Sequence, residues 1–241
     1  MIGQFSVQAW AGFAPGLESP EAWRAWASEP GLPTGEAMPA LAEMPAMQRR
    51  RLEKLGRMAL QVAWHCQPEG TGDMPLVFAS RHGDIGRTFE MLAVLARGEA
   101  LSPTQFGLST HNAIAAQYSI TRVLAGNYLA VSAGANSAAA ALVEALALLA
   151  DGAPAVLVVV YDNTTPEAYA AYRDEPEAPY AWAWRVGPPC EGHPRFSIEA
   201  GAGLATGTGA LPHGLDVLRF FLAGDAGLVS PDGAWQWRRH G

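Results

Sequence analysis

"LAVSAGANSAAAALVEALALLADG", residues 129–152, decides the reading of this chain. A short apolar strand runs into a turn of small residues, Ala133, Gly134 and Ala135, and a helix follows. From Asn136 to Ala150 only Asn136, Ser137 and Glu144 are polar, so the helix is predicted to be buried on every side. The alanines at 138–141 let neighbouring backbones approach closely. Strand, tight turn and helix N-terminus form the place where an α/β protein displays a nucleophile, because the helix dipole favours an anion there. Here the turn offers only alanine and glycine.

Working outward, residues 2–16 begin with alternating apolar and polar side chains and read as a strand. The Pro/Gly-rich residues 29–45 read as an irregular loop. A helix is predicted over 47–67, with Leu52, Leu55, Met58, Ala59, Val62 and Cys66 at helical spacing and Arg49, Arg50, Arg51, Glu53 and Lys54 on its polar face. A strand enters a loop over 74–84, Asp84 caps a helix ended by Gly98, and a second helix over 109–126 is ended by Gly126. Residues 127–133 form the strand of the opening stretch. The β-branched run 154–162 has the pattern of a strand covered on both faces. Beyond it, 180–187 and 195–201 alternate like antiparallel strands, 210–224 is helical, and 233–239 is a last strand. Trp182 and Trp184, like Trp235 and Trp237, fall two apart and share one strand face, which suits core packing. Strands alternating with helices predict one α/β domain over 1–241, a layered mixed β-sheet with a buried central helix.

Composition excludes several classes. The 241 residues are 49% hydrophobic and only 16% charged, enough for a large core and short of charge to cover a surface, which suits a face buried against a partner. A net charge of −7, with Arg49-Arg50-Arg51 as the one basic run, argues against nucleic acid. Two cysteines build no disulfide framework. No basic-then-apolar leader opens the chain, and Glu144, Asp151 and Pro154 interrupt the apolar stretches, so neither a secretory signal nor a membrane span is expected and the cytoplasm is the simplest compartment. His65, Cys66, Cys190 and His193 could ligate zinc, but the adjacent pair lacks zinc spacing and Cys66 sits on an apolar helix face, so a buried thiol is expected and no metal. "SRHGDIGR" at 80–87 lacks the glycine pattern of a phosphate or dinucleotide loop, and no cofactor is expected.

Residues 102–152 carry a resemblance. "SP" stands at 102, Asn112 lies inside "STHNAIAAQ", "LAG" occupies 124–126, "YLAVSAG" follows, and Gly152 closes the helix. In this register the stretch resembles the β-ketoacyl synthase family, whose fold is that of the thiolases, and the family's nucleophilic cysteine falls at Ala135. "SRHG" at 80–83 and "RFFLAGDAGLVSPDGAWQW" at 219–237 extend the resemblance over essentially the whole chain. Two positions depart from the family: Ala135 replaces the cysteine, and Ala125 replaces the arginine of "Leu-Arg-Gly". The chain is also expected to lack the second half of a synthase, which supplies the activating histidines, or His and Lys.

The resemblance therefore implies a partial thiolase-like fold and a non-catalytic subunit, similar to the chain-length factors of type II polyketide, aryl polyene or fatty-acid synthases. It implies a heterodimer with an active β-ketoacyl-ACP synthase, contact with acyl carrier protein through that complex, and pairing of residues 128–133 across the two-fold axis. The acyl pocket or partner interface is expected at Ser109, His111, Asn112, Tyr128, Ala130, Ser132, Gly134, Ala135 and Asn136. Two other readings stand beside it. One is a hydrolase or acyltransferase using Ser132 or Ser137 with His111 as base, since a serine nucleophile needs a base beside it. The other is a purely structural partner.

Overall fold

The computed structural model describes residues 3–67, 74–201, 204 and 209–241. An eight-stranded mixed sheet forms the middle layer, in the order β3-β2-β4-β5-β1-β6-β8-β7. Strands β2 (Leu76–Ala79), β3 (Tyr128–Val131) and β4 (Val156–Asp162) run parallel, with β2 between the other two. Strands β1 (Gly3–Phe13), β5 (Tyr180–Gly187), β6 (Arg195–Ala200), β7 (Gly227–Val229) and β8 (Trp235–His240) extend the sheet in antiparallel fashion.

The side-chain pattern of the central strands explains the layers. All seven residues of β4 are buried, as a run apolar on both faces requires. In β5 the large residues Tyr180, Trp182, Trp184 and Val186 face one core, and the small Ala181 and Ala183 face the other. On the large-residue side pack helices α1 (Pro20–Ser28), α7 (Ser137–Ala150) and α8 (His213–Ala223), with Trp184 against Phe221 at 5.1 Å between ring centroids. On the alanine side, α3 (Lys54–Cys66) comes close enough for the Cys66 Sγ to donate to the Ala183 carbonyl at 3.3 Å. Burial pushes that thiol up to about 12, so Cys66 is an inert core residue. Helix α6 (Ala113–Arg122) packs beside α3 on the same face.

Several expectations change. The helix predicted over 47–67 is two helices, α2 (Ala46–Arg49) and α3, parted by a turn. The segment 109–126 holds a shorter helix: α5 (Pro103–Ser109) ends where it was to begin, and Asn112 is the N-cap of α6 rather than a residue inside it. Helix α1, the 3-10 turn Glu167–Tyr172 and strand β7 lie in stretches that carried no prediction. Helix α4 (Ile85–Ala96) is capped by Asp84 Oδ1, which accepts from the Arg87 N–H at 3.2 Å.

The largest difference concerns α7. Ser137, Ala138, Ala139, Ala141, Leu142 and Ala145 are buried, but Val143, Leu146, Leu148 and Leu149 are only partly covered. An all-apolar helix has been laid on one face of a sheet, and its outer side has no second layer among the described residues. Strand β3 is likewise the sheet edge, and all four of its residues are half-buried. Just before it, α6 ends in a cap with Val123 left-handed at φ 54°: Leu124 N–H donates to the Ser119 carbonyl (2.9 Å) and Val123 N–H to that of Ile120 (3.3 Å). Glycine is the usual residue at such a cap, and a side chain there costs on the order of 1–2 kcal/mol.

Candidate functional site

The three parallel strands end on the same side, so the loops at 80–84, 132–136 and 163–166 meet there, where open α/β sheets hold their ligands. The first two of these loops are fixed by different devices.

The turn after β3 is held by its own atoms. Gly134 takes φ 56°, a conformation glycine adopts without strain. Asn136 and Ser137 N–H groups donate back to the carbonyls of Ala133 and Gly134 at 3.0 and 3.1 Å. The Ser137 hydroxyl accepts from the Ala133 N–H at 3.0 Å and donates to the Gly134 carbonyl at 2.7 Å. Ala135 thus sits, half-buried, at the N-terminal end of α7. Next to it, Asn136 Nδ2 donates to Asp232 Oδ2 at 2.6 Å, which ties the turn to the loop before β8.

The loop after β2 is held by a buried carboxylate. Asp162, the last residue of β4, accepts from the Ser80 hydroxyl (2.8 Å), the Arg81 N–H (2.9 Å) and the Tyr180 hydroxyl (3.3 Å). The Ser80 hydroxyl also accepts from Gly83 N–H at 2.8 Å. Burial pulls the Arg81 guanidinium down, but Glu175, Asp174 and Asp162 around it outweigh that and hold it charged. It pairs with Glu175 at 2.9 Å and with Asp174. Glu175 Oε2 in turn accepts from the His213 N–H at 3.1 Å, at the start of α8. This network joins four elements, and Arg81, Asp162, Glu175 and Tyr180 line a small open cleft of about 10 Å³.

Burial pushes the Asp162 carboxyl up to about 7, with the Ser80 hydroxyl and the Arg81 N–H opposing. An acid raised above its ordinary 3.8 binds its proton more readily folded than unfolded. The stability it carries is full below about pH 4 and is lost as pH rises toward 7. His213, with burial pulling it down to about 4, acts in the opposite sense, losing stability as pH falls from 6.5 toward 4. Asp162→Asn removes only the first effect. In denaturant titrations, its unfolding free energy relative to the parent is expected to climb by about 2–4 kcal/mol between pH 4 and pH 8. A pH-independent difference would show that Asp162 does not titrate in this range.

The expected site residues are partly brought together. His111, Ser132, Gly134, Ala135 and Asn136 gather at the strand ends. His111 Nε2 contacts the Val131 carbonyl at 3.1 Å, and its ring fills the space that a Cβ on Gly83 would enter. Ser109 and Asn112 lie at the α5–α6 junction, with the Ser109 hydroxyl donating to the Phe106 carbonyl at 2.8 Å. Tyr128 and Ala130 lie on the β3 edge. The Ser132 hydroxyl donates to the Arg81 carbonyl at 2.7 Å and the Ser137 hydroxyl is used inside its own turn, so neither serine is bonded to His111. Sequence reasoning passed over Arg81, Asp162, Glu175, Tyr180 and His213. The one available signal was Asp162, a charge closing an otherwise apolar run. Among the described residues no three His, Cys, Asp or Glu side chains are grouped to hold a metal, and no helix is long and apolar enough to cross a membrane.

The strands and helices form an αβα sandwich with a small-residue turn at the head of an apolar helix. The sequence pattern described as β-ketoacyl synthase, N-terminal domain, matches residues 23–238, and the chain belongs to that family. Its fold is the thiolase-like one of that half. Among solved structures, it is similar to a chain from the complex of the ketosynthase ApeO with its chain length factor ApeC from Xenorhabdus doucetiae. The two are 28% identical with a TM-score of 0.82, covering 98% of this chain and 99% of that one. The ishigamide ketosynthase/chain length factor matches at 13% identity and TM-score 0.63, over 82% of this chain and 68% of that one. A β-ketoacyl synthase from Burkholderia phymatum matches at 14% identity and TM-score 0.62, over 85% and 66%. The likeness to these last two is one of fold. No curated protein matches the sequence.

Proposed function

We propose that this chain is a non-catalytic, chain-length-factor-like subunit of a type II system that builds polyketide, aryl polyene or fatty-acid type chains. It pairs with an active β-ketoacyl-ACP synthase, which supplies the nucleophile, and it shapes the pocket that the growing acyl chain enters. The observation that carries the reading is Ala135 at the N-terminal end of α7, where condensation would need a thiolate. The free β3 edge and the partly covered outer side of α7 support a partner, since unpaired backbone groups beside apolar side chains invite association. The similarity to a chain of a ketosynthase–chain length factor complex favours a ketosynthase as that partner. Acyl carrier protein would meet the complex, and the cytoplasm is the compartment in which we place it. The serine readings lose support because both hydroxyls are bonded away from His111.

A mixing experiment tests this. The chain and a ketosynthase encoded beside it are combined with malonyl-loaded carrier protein, and product masses are read. Elongation only in the mixture is the expected result, with an interface burying roughly 2,000 Å² or more in total. A monomer at micromolar concentration that leaves the ketosynthase unchanged would overturn the proposal, and turnover by the chain alone would favour the hydrolase.

A further inference from the structure

Two non-glycine residues among those described have a left-handed backbone, Leu41 at φ 46° and Val123 at φ 54°. Leu41 is fully buried, its N–H donates to Gln61 Oε1 at 3.0 Å, and its carbonyl accepts from Arg49 at 3.0 Å. The surrounding fold holds that strain in place. Val123 has the opposite setting, 88% exposed at the tip of a cap. A β-branched residue is poorly suited to this conformation, because its two γ carbons crowd the backbone. Glycine there would remove both the strain and the exposed apolar surface. A position that costs the free chain twice points to a compensation outside the chain.

Val123 also has apolar company. Ile120, on the last turn of α6, is 64% exposed, and its carbonyl accepts from the Val123 N–H at 3.3 Å. Phe106 on α5 and Leu92 and Leu95 on α4 are exposed on the helices that pack in succession against α6. Strand β3, with its free edge, begins shortly after Val123. Backbone groups on that edge can supply the polar contacts of an interface. Val123 and Ile120 can supply only apolar ones.

We infer that Val123, with Ile120 beside it, is an anchor of the interface with the ketosynthase, an apolar knob held out by a left-handed cap next to the β3 edge. The occupant of this surface is that ketosynthase. This rests on the reading of the chain as a ketosynthase subunit, and the test separates the two.

Val123→Gly is compared with the parent in two measurements: thermal unfolding of the chain alone, and its dissociation constant for the co-expressed ketosynthase. Relief of strain is expected to raise the unfolding midpoint by about 2–4 °C. Loss of a buried anchor is expected to weaken the complex tenfold or more. Because the variant is the more stable chain, a weaker complex cannot be ascribed to misfolding. A parent complex whose affinity Val123→Gly leaves unchanged overturns this inference alone. Absence of a complex with either form overturns the subunit reading and this inference with it.

Discussion

Ala135→Cys, purified alone, will join no acyl units supplied as carrier-protein thioesters. The new thiolate would sit at the N-terminal end of α7, where the dipole contributes only about 0.3–1 kcal/mol in typical exposed cases. Condensation also needs donors aimed at the developing oxyanion, and removing one such donor costs about 10²–10³ in rate. The polar side chains near the turn are engaged elsewhere: Ser132 with the Arg81 carbonyl, Ser137 within its own turn, and His111 against the Val131 carbonyl. Mass analysis of carrier-bound products reads the outcome. Acylation of the introduced thiol without a new carbon–carbon bond agrees with the proposed function. Condensation by the variant alone would show that the chain retains a working site, and the non-catalytic reading would fall.

Arg81→Ala is expected to lower stability by about 3–5 kcal/mol, the cost of leaving buried charge without its partner. The Arg81 and Glu175 side chains are 7% and 9% exposed, and Asp162 lies behind them. Removing the guanidinium leaves these carboxyls facing one another with one fewer cation. Both are already raised by burial, and losing Arg81 raises them further. Protonation then relieves the repulsion, so the deficit should be larger at pH 8 than at pH 5.5 in denaturant titrations. Arg97→Ala is the comparison. That side chain and its partner Glu99 are 56% and 55% exposed, and its loss should cost about 1 kcal/mol or less. Equal losses for the two variants would mean that the Arg81 cluster is solvated like an ordinary surface.

The same cluster shows where sequence reasoning stops. Ser80 and Asp162 are 82 positions apart, and Arg81 meets Asp174 across 93. Nothing in local periodicity relates them, because their meeting depends on β2 lying beside β4 in the strand order. Helix ends were similarly hidden. The break between α2 and α3 and the placement of Asn112 as a cap depend on backbone hydrogen bonds rather than on the apolar repeat. Helix α7 misled for a related reason. Its composition states that every face must leave water, but it cannot state whether this chain or another covers the outer one.

The sequence by itself determined the layered α/β order, the doubly covered strand β4, the large-and-small alternation of β5, and a turn of alanine and glycine at the head of an apolar helix. These are local patterns, since burial imprints a period of two or 3.6 on the chain. The tertiary structure alone decided that β3 is the sheet edge, that α7 keeps an apolar outer side, and that Asp162, Arg81 and Glu175 share one buried network. Each of these depends on which strands are neighbours, and strand order is set by the packing of the whole chain, not by any segment of it.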